Sequence, residues 1–99
     1  MRESDFIDRV AETTGQSKTD VKRTLRAITS EIIECVAHGD SISFRHFGSF
    51  HPKYLSKTTR FIPSCGQAVD LPARRVPRFR YSSAFRERCK EIAERLNHL

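Results

Sequence analysis

The sequence has no tryptophan, only four glycines and four prolines, and three cysteines among its 99 residues. Because the cysteine count is odd and no short pairing motif is present, we expect reduced thiols rather than a disulfide framework. Residues 1–20 contain acids and no continuous apolar run, so no signal peptide is expected. No apolar stretch approaches the length of a membrane span. These absences favour a cytoplasmic protein.

Motifs for chemistry are also lacking. There is no nucleophile motif, P-loop or dinucleotide-binding fingerprint, so we do not expect an enzyme or a small-molecule substrate. Cys35 and Cys89 fall on apolar helix stripes and are predicted to be small core residues, whereas Cys65 is predicted to be exposed and oxidisable. The histidines lack metal-ligand spacing with one another and with the cysteines, so no metal or cofactor is expected. These histidines are His38, His46, His51 and His98.

The net charge of +6 is concentrated in the middle of the chain. Residues 41–80 carry eight Lys or Arg side chains and one acid, Asp70, whereas residues 1–40 carry six basic and eight acidic side chains. A basic segment on an otherwise balanced chain favours a polyanionic partner. Solubility is the alternative interpretation, but solubility alone gives no reason for such segregation.

Two amphipathic helices are expected in residues 1–40. The first is predicted to begin with Ser4 as its N-cap and to end at Gly15. Ser17 caps a second helix of about five turns, which Gly39 ends. The apolar side chains of this second helix recur at steps of three and four along Val21, Leu25, Ile28, Ile32 and Val36. The two helices form a hairpin whose apolar face needs a cover.

The apolar period then changes to two, which predicts strands. Residues 41–46 form a first strand, 47–50 a glycine-bearing turn and 51–56 a second strand, in which Pro52 marks an edge position. Residues 76–81 alternate again. A last helix then begins at Ser82 or Ser83, with an apolar stripe along Phe85, Cys89, Ile92 and Leu96.

Residues 53–62 and 67–76 are predicted to pair as a long hairpin, because Pro63 and Gly66 have turn chemistry. A hairpin with so few apolar side chains is not stable alone in water, so it should be mobile until it lies on a partner. The expected fold class is α+β, with a helical hairpin, a three-stranded antiparallel sheet, a long protruding β-ribbon arm and a C-terminal helix.

A chain of this length has room for one domain, and small domains are often marginal alone, so oligomerisation is expected. Within that domain we assign 1–40 to a helical dimerisation body and 41–81 to the sheet and arm. The arm itself spans about 53–75. Residues 82–99 form the C-terminal helix.

This order of elements and several local strings resemble the HU and integration host factor family of bacterial histone-like DNA-bending proteins. The resemblance runs over about the first 90 residues. Its last string is more similar to integration host factor than to HU. The strings are Ile7-Asp8, Ala11-Glu12, Ser17-Lys18-Thr19, Gly39-Asp40, Phe47-Gly48-Ser49-Phe50, Pro63, Gly66, and Ala73-Arg74-Arg75-Val76 with Phe79.

The resemblance implies an intertwined dimer that binds the minor groove of double-stranded DNA and bends it in the bacterial nucleoid. Two helical hairpins would form the body, the sheets a saddle, and the two ribbons would embrace the duplex. Pro63 would wedge between base pairs and kink the duplex. A homodimer is expected, and a heterodimer is left open. Binding should weaken steeply with salt, because Lys and Arg release counterions from phosphates.

The arm tip departs from the Arg-Asn-Pro type that is usual in the family. Here Phe61 and Ile62 precede Pro63. Either they enlarge the wedge or pack on sugars, or they stiffen the hairpin by cross-strand pairing. The returning strand is less basic than is usual in the family. His46 replaces a family glycine, so it either alters a backbone–phosphate contact or reaches a phosphate itself.

The predicted DNA-contacting set combines basic side chains with the arm tip. Lys18 and Arg86 lie near helix starts, which attract phosphate, and are assigned to flanking DNA. A solvated sheet face is the alternative interpretation of Arg45, Arg78 and Arg80. The full set is Lys18, Arg45, His46, Lys53, Lys57, Arg60, Phe61, Ile62, Pro63, Arg74, Arg75, Arg78, Arg80 and Arg86. The rival function is a protein-interaction module that keeps the fold but binds DNA weakly or not at all, with the apolar arm tip as its contact.

Overall fold

A computed structural model describes residues 1–64 and 66–97, which form two compact units, Met1–Glu34 and Cys35–Leu99. The predictions made for Cys65 and His98 fall outside the described residues. The elements are α1 (Glu3–Thr14), α2 (Lys18–Ala37), β1 (Ile42–Phe44), β2 (Gly48–Leu55), β3 (Thr58–Ile62), β4 (Gln67–Leu71), β5 (Arg74–Tyr81) and α3 (Ser83–Asn97). This order confirms the predicted α+β class.

Helix α1 begins earlier than predicted, so the assignment of Ser4 as its cap is wrong. The N-cap is Arg2, whose backbone N–H donates to the Asp5 carboxylate at 3.2 Å. The carboxylate also lies in the first turn, where the helix dipole favours an anion. The helix ends as predicted, since the N–H of Gly15 donates to the carbonyl of Ala11 at 2.9 Å.

Helix α2 begins and ends where the sequence indicates. The Ser17 hydroxyl accepts the N–H of Asp20 at 3.1 Å, which satisfies one of the free donors of the first turn. At the other end Gly39 has φ +87, and its N–H donates to the carbonyl of Val36 at 3.0 Å. A left-handed glycine of this kind turns the chain away from the helix.

The core of the unit Met1–Glu34 lies between α1 and α2. Ile7, Ala11 and Val21 are buried there, with Val10 and Leu25 partly buried against them. Phe6, which precedes Ile7 on α1, is 47% exposed. The hairpin therefore has a small core and leaves apolar side chains uncovered.

Strand β2 lies between β1 and β5 in an antiparallel sheet. The predicted turn at 47–50 is wrong, because β2 already begins at Gly48. The turn instead lies three residues earlier and is closed by the N–H of Phe47, which donates to the carbonyl of Phe44 at 3.1 Å. A Cβ on Gly48 would lie 2.5 Å from the carbonyl oxygen of Arg80. Glycine is thus required there for the close approach of β5.

Strands β3 and β4 form a two-stranded ribbon that continues the pairing of β2 with β5. The β2–β5 pairing ends at Leu55, and the β3–β4 pairing begins at Thr58 in the same register. The predicted hairpin of 53–62 with 67–76 is therefore confirmed. A short interruption, which includes Pro72, separates the ribbon from the sheet; this residue has no N–H to donate to a ladder.

Helix α3 is capped by Ser82, whose hydroxyl accepts the N–H of Phe85 at 3.1 Å. Its apolar stripe is largely uncovered in the described part of the single chain. Ile92 is 41% and Leu96 63% exposed. Cys89 is exposed as well, so the prediction that it is a core residue is wrong for the isolated chain; Cys35 has intermediate exposure.

An aromatic cluster joins α3 to one face of the sheet. The ring centroids of Phe50 and Phe79 are 4.8 Å apart, and Phe47 lies 5.4 Å from both Phe79 and Phe85. These separations are typical of packed aromatic pairs. The cluster leaves the opposite face of the sheet free for polar side chains.

Candidate nucleic-acid interface

The opposite face of the sheet is basic. Side chains alternate between the two faces of a strand, and directly paired residues of β2 and β5 share a face. His51 pairs with Arg78, and Ser49 pairs with Arg80. We call this surface the basic face; it comprises Ser49, His51, Lys53 and Leu55 of β2 with Arg74, Val76, Arg78 and Arg80 of β5.

The basic face contains a shallow concavity whose lining includes His51, Lys53, Arg78 and Arg80. All but His51 belong to the predicted set. No other acid interrupts 41–80 besides Asp70, which lies in the ribbon. The concavity therefore offers several side-chain hydrogen-bond donors, and no carboxylate, to one extended anionic partner.

His51 is the residue that sequence reasoning missed. It was considered only as a metal ligand, and the described residues contain no group of three or more His, Cys, Asp or Glu side chains that could hold an ion. The alternation of side chains along a strand could have placed it on the basic face, since His51 lies two positions from Lys53 and directly opposite Arg78.

Arg74 and Arg75 are separated by the register. Arg74 pairs with Leu55 on the basic face. Arg75 pairs with Tyr54 on the opposite face, which carries the Phe50–Phe79 pair and which we call the aromatic face. The Arg75 guanidinium donates from Nη1 to the carbonyl of Ala37 at 3.4 Å. The structure thus divides two neighbouring residues that the sequence placed in one set.

The ribbon carries the remaining arm residues. Arg60 pairs with Val69 on one of its faces, and Phe61 pairs with Ala68 on the other. Phe61 is 62% exposed, whereas Ile62 is half-buried. Pairing a large ring with a methyl group covers little of that ring, so most of Phe61 is available for contact with a partner.

Pro63 begins the turn at the end of the ribbon and is exposed; its role as a wedge stays a prediction. The N–H of Gly66 donates to the carbonyl of Ile62 at 3.0 Å and closes the turn. At the other end of the ribbon, Lys57 lies exposed in the interruption between β2 and β3.

Arg45 and His46 lie in the turn between β1 and β2. His46 has φ +62, a left-handed conformation that is uncommon outside glycine. The Arg45 Nε donates to the imidazole Nε2 of His46 at 3.1 Å. Both side chains are exposed, so the turn presents them as a hydrogen-bonded pair.

Lys18 and Arg86 each have an acidic neighbour. Lys18 Nζ lies 3.2 Å from an Asp8 carboxylate oxygen, and Arg86 Nε lies 3.8 Å from Glu87 Oε1. Exposed ion pairs of this kind contribute little to stability. A phosphate at either position would have to compete with the carboxylate.

A two-stranded ribbon with exposed apolar residues near its tip, extending from a sheet with a basic face, is typical of a protein that binds a nucleic acid backbone. The chain matches the family described as "Bacterial DNA-binding protein" over residues 1–90. The chain belongs to this family.

Relatives agree over nearly the whole length. The DNA-binding protein HU of Campylobacter jejuni is 37% identical over 87 residues, which cover 88% of this chain and 89% of that protein. Integration host factor subunit beta of Teredinibacter turnerae is 35% identical, covering 97% of this chain and 99% of the relative. Among solved structures, an Anabaena HU–DNA cocrystal structure superposes with a TM-score of 0.84 at 31% identity, covering 90% of this chain and 97% of that one.

Proposed function

We propose that this chain is an architectural protein of the bacterial nucleoid that binds the minor groove of double-stranded DNA and bends it, acting as a dimer and catalysing no reaction. Family membership and a neighbour crystallised with DNA support this assignment. No helix of the described residues is long and apolar enough to cross a membrane. The whole chain would act as one DNA-binding domain.

The continuity of the basic face with the ribbon carries the proposal. Lys53, Arg78 and Arg80 lie on one side of the sheet, and the ribbon continues the same register toward Pro63. The sheet can hold a phosphate backbone on these cations, while the ribbon extends Phe61 and the tip beyond it. Neutralised phosphates release counterions, so this part of the binding free energy depends on salt.

Bending is assigned to the arm tip. An apolar side chain inserted between base pairs unstacks that step at a cost of a few kcal/mol. The kink then lets more of the protein contact the backbone, which offsets this cost. Pro63 is proposed as the wedge, and the exposed Phe61 as a second apolar contact in the groove.

Dimerisation follows from the apolar surface that the single chain leaves exposed. Among the described residues, the buried apolar side chains are Ile7, Ala11, Val21 and Val36. Phe44, Phe47 and Phe79 are 37%, 45% and 41% exposed, and Ile33 is 66% exposed. Phe44, Phe47 and Phe79 form one contiguous apolar surface, and such a surface on a small chain marks an interface. We assign it to a second copy, as in the family resemblance; a related heterodimer partner would cover the same side chains.

Roles for the individual residues belong to this proposal. The basic face contacts phosphates through Lys53, His51, Arg74, Arg78 and Arg80. Arg60 does so from the ribbon, Lys57 from the interruption between β2 and β3, and Arg45 with His46 from the β1–β2 turn. Lys18 and Arg86 reach flanking DNA after they release Asp8 and Glu87.

The alternative, a protein-interaction module without DNA binding, rests on Phe61 and Ile62 alone. It gives no reason for the basic face, and the relatives are named as DNA-binding proteins. It is therefore not favoured.

A titration of a fluorescent duplex, followed by anisotropy at two salt concentrations, tests the proposal. We expect saturable binding that weakens steeply at the higher concentration. Absence of salt-sensitive binding by the dimer would reject it. Light scattering on the protein without DNA should give twice the 11.4 kDa of one chain, and a monomeric mass would reject the dimer.

A further inference from the structure

Arg75 differs from the adjacent Arg74 in the face of β5 on which it lies. It is on the aromatic face of β5, opposite Tyr54, while the adjacent Arg74 is on the basic face. The two side chains leave a strand in opposite directions. A phosphate backbone lying on the basic face is therefore reached by Arg74 and not by Arg75.

The guanidinium of Arg75 is already engaged at two sides. Its Nη1 donates to the carbonyl of Ala37 at 3.4 Å, and its Cζ lies 5.2 Å from the centroid of the Tyr54 ring. Ala37 is the last residue of α2. The carbonyls of a last helical turn lack partners within the helix and carry the negative end of its dipole. A cation stacked on an aromatic ring is attracted by the ring face as well.

Gly39 leaves the space that this arrangement needs. A Cβ at this position would lie 2.7 Å from Nη1 of Arg75 and 3.6 Å from the hydroxyl oxygen of Tyr54. A side chain here would displace the guanidinium from the end of α2. The glycine that ends the helix with φ +87 thus also admits the arginine.

These contacts lie at the root of the ribbon. The pair formed by Tyr54 and Arg75 is followed by one more pair, that of Leu55 with Arg74, before the ladder is interrupted. The ribbon begins again at Thr58. The contacts of Arg75 with Ala37 and Tyr54 therefore restrain the last part of the sheet, from which the ribbon extends.

We propose that Tyr54, Arg75 and the C-terminal turn of α2 form an anchor that sets the direction in which the ribbon leaves the sheet. Arg75 is then a positioning residue, and Arg74 is the phosphate contact of the pair. The effect of the anchor on DNA bending rests on the proposed function. Its effect on the mobility of the ribbon root does not, and can be measured in the free protein.

The first test uses the free protein and amide hydrogen exchange. Arg75→Lys keeps the charge but loses the planar, stacking group. We expect amides of residues 54–58, 71 and 73–75 to exchange about fivefold faster, as for loss of one cation–π contact or hydrogen bond. Tyr54→Ala should give the same increase, and the double variant no further increase. Tyr54→Phe, which keeps the ring, should match the parent protein.

The second test uses DNA and separates the two arginines. Arg74→Ala should lower the slope of log K against log salt by about one unit, because one phosphate contact is lost. Arg75→Lys should leave this slope unchanged and lower the energy transfer between the ends of a labelled duplex, because the arms are misdirected. If Arg75→Ala lowers the slope as Arg74→Ala does, the anchor is rejected.

Exchange at the ribbon root that is unchanged in both Arg75→Lys and Tyr54→Ala would also overturn the anchor, whatever the DNA result. Failure of the parent protein to bind DNA would instead reject the proposed function and leave the exchange result to decide the anchor. The two ideas therefore fail on different measurements.

Discussion

The Thr59 hydroxyl donates a hydrogen bond to the Asp70 carboxylate across the ribbon, at 2.8 Å. The two residues are directly paired between β3 and β4. Asp70 is the single acid among residues 41–80, and this bond gives it a structural role in an arm proposed to approach phosphates. Stability of the free ribbon and affinity for DNA therefore oppose each other at this position.

Asp70→Asn removes the negative charge and keeps a side chain able to accept the Thr59 hydroxyl proton. We expect DNA affinity to rise about two- to fivefold at low salt, the scale of one exposed charge interaction. The measurement is the anisotropy titration. Thr59→Val is the matched control, since it breaks the same bond and leaves the charge in place; an equal gain in both variants would contradict the charge explanation.

Phe61→Ala tests the exposed ring of the ribbon. Burying such a ring against sugars or bases stabilises a complex through the hydrophobic effect, which does not depend on counterion release. We expect affinity to fall about fivefold or more with the salt slope unchanged. Phe61→Leu, which keeps apolar volume, should recover most of the loss. Unaltered affinity in Phe61→Ala would leave the ring with only a role in the hairpin.

Arg78→Ala tests the basic face. Its loss should weaken DNA binding and flatten the salt slope by about one unit. Arg23→Ala makes the same charge change on α2, where Arg23 forms an exposed ion pair with Asp20 at 3.4 Å. The control should keep the parent slope, and a slope equally reduced in both variants would assign the effect to net charge.

Glu3→Gln tests the ion pair that joins α1 to α2. The hydrogen bond from Arg26 holds the pKa of the Glu3 carboxyl below its usual value of 4.5, and the same bond raises the pKa of Arg26. Because the folded pKa of Glu3 is depressed, its stabilising effect is present above the unfolded value and is lost as pH falls through the folded value.

The variant should therefore melt at a slightly lower temperature than the parent at neutral pH, and the difference should vanish in acid. Thermal unfolding at several pH values measures this. Glu12→Gln, an exposed acid on the same helix, is the control. A difference that persists below the folded pKa would show that the charge of Glu3 is not its cause.

The sequence predicted the register of the arm but not that Arg74 and Arg75 have different contacts on opposite faces of β5. The pairing of 53–62 with 67–76 followed from turn residues at the tip and from alternation at the root. The separation of Arg74 from Arg75 followed from the same alternation, yet charge alone grouped them. The contact of Arg75 with Ala37 joins residues 38 positions apart, which no local pattern indicates.

Two local errors have local causes. Ser4 satisfied the preference of helix caps, but the carboxylate of Asp5 reaches the N–H of Arg2 and moves the start of α1. Gly48 was assigned to a turn because glycine favours turns, whereas its small size serves the approach of β5. In both cases a contact that the local sequence pattern does not include determines where the helix or strand begins. Exposure of Cys89 reflects the apolar surface that a second copy is proposed to cover.

The bend angle tests the central claim most directly. A duplex much shorter than the DNA persistence length of about 150 base pairs is nearly straight when free, so energy transfer between dyes at its ends is low. Saturation with the parent protein should raise the transfer strongly, and Pro63→Ala should reduce that rise while changing affinity less. A saturated complex whose duplex ends stay as far apart as in free DNA would contradict the account.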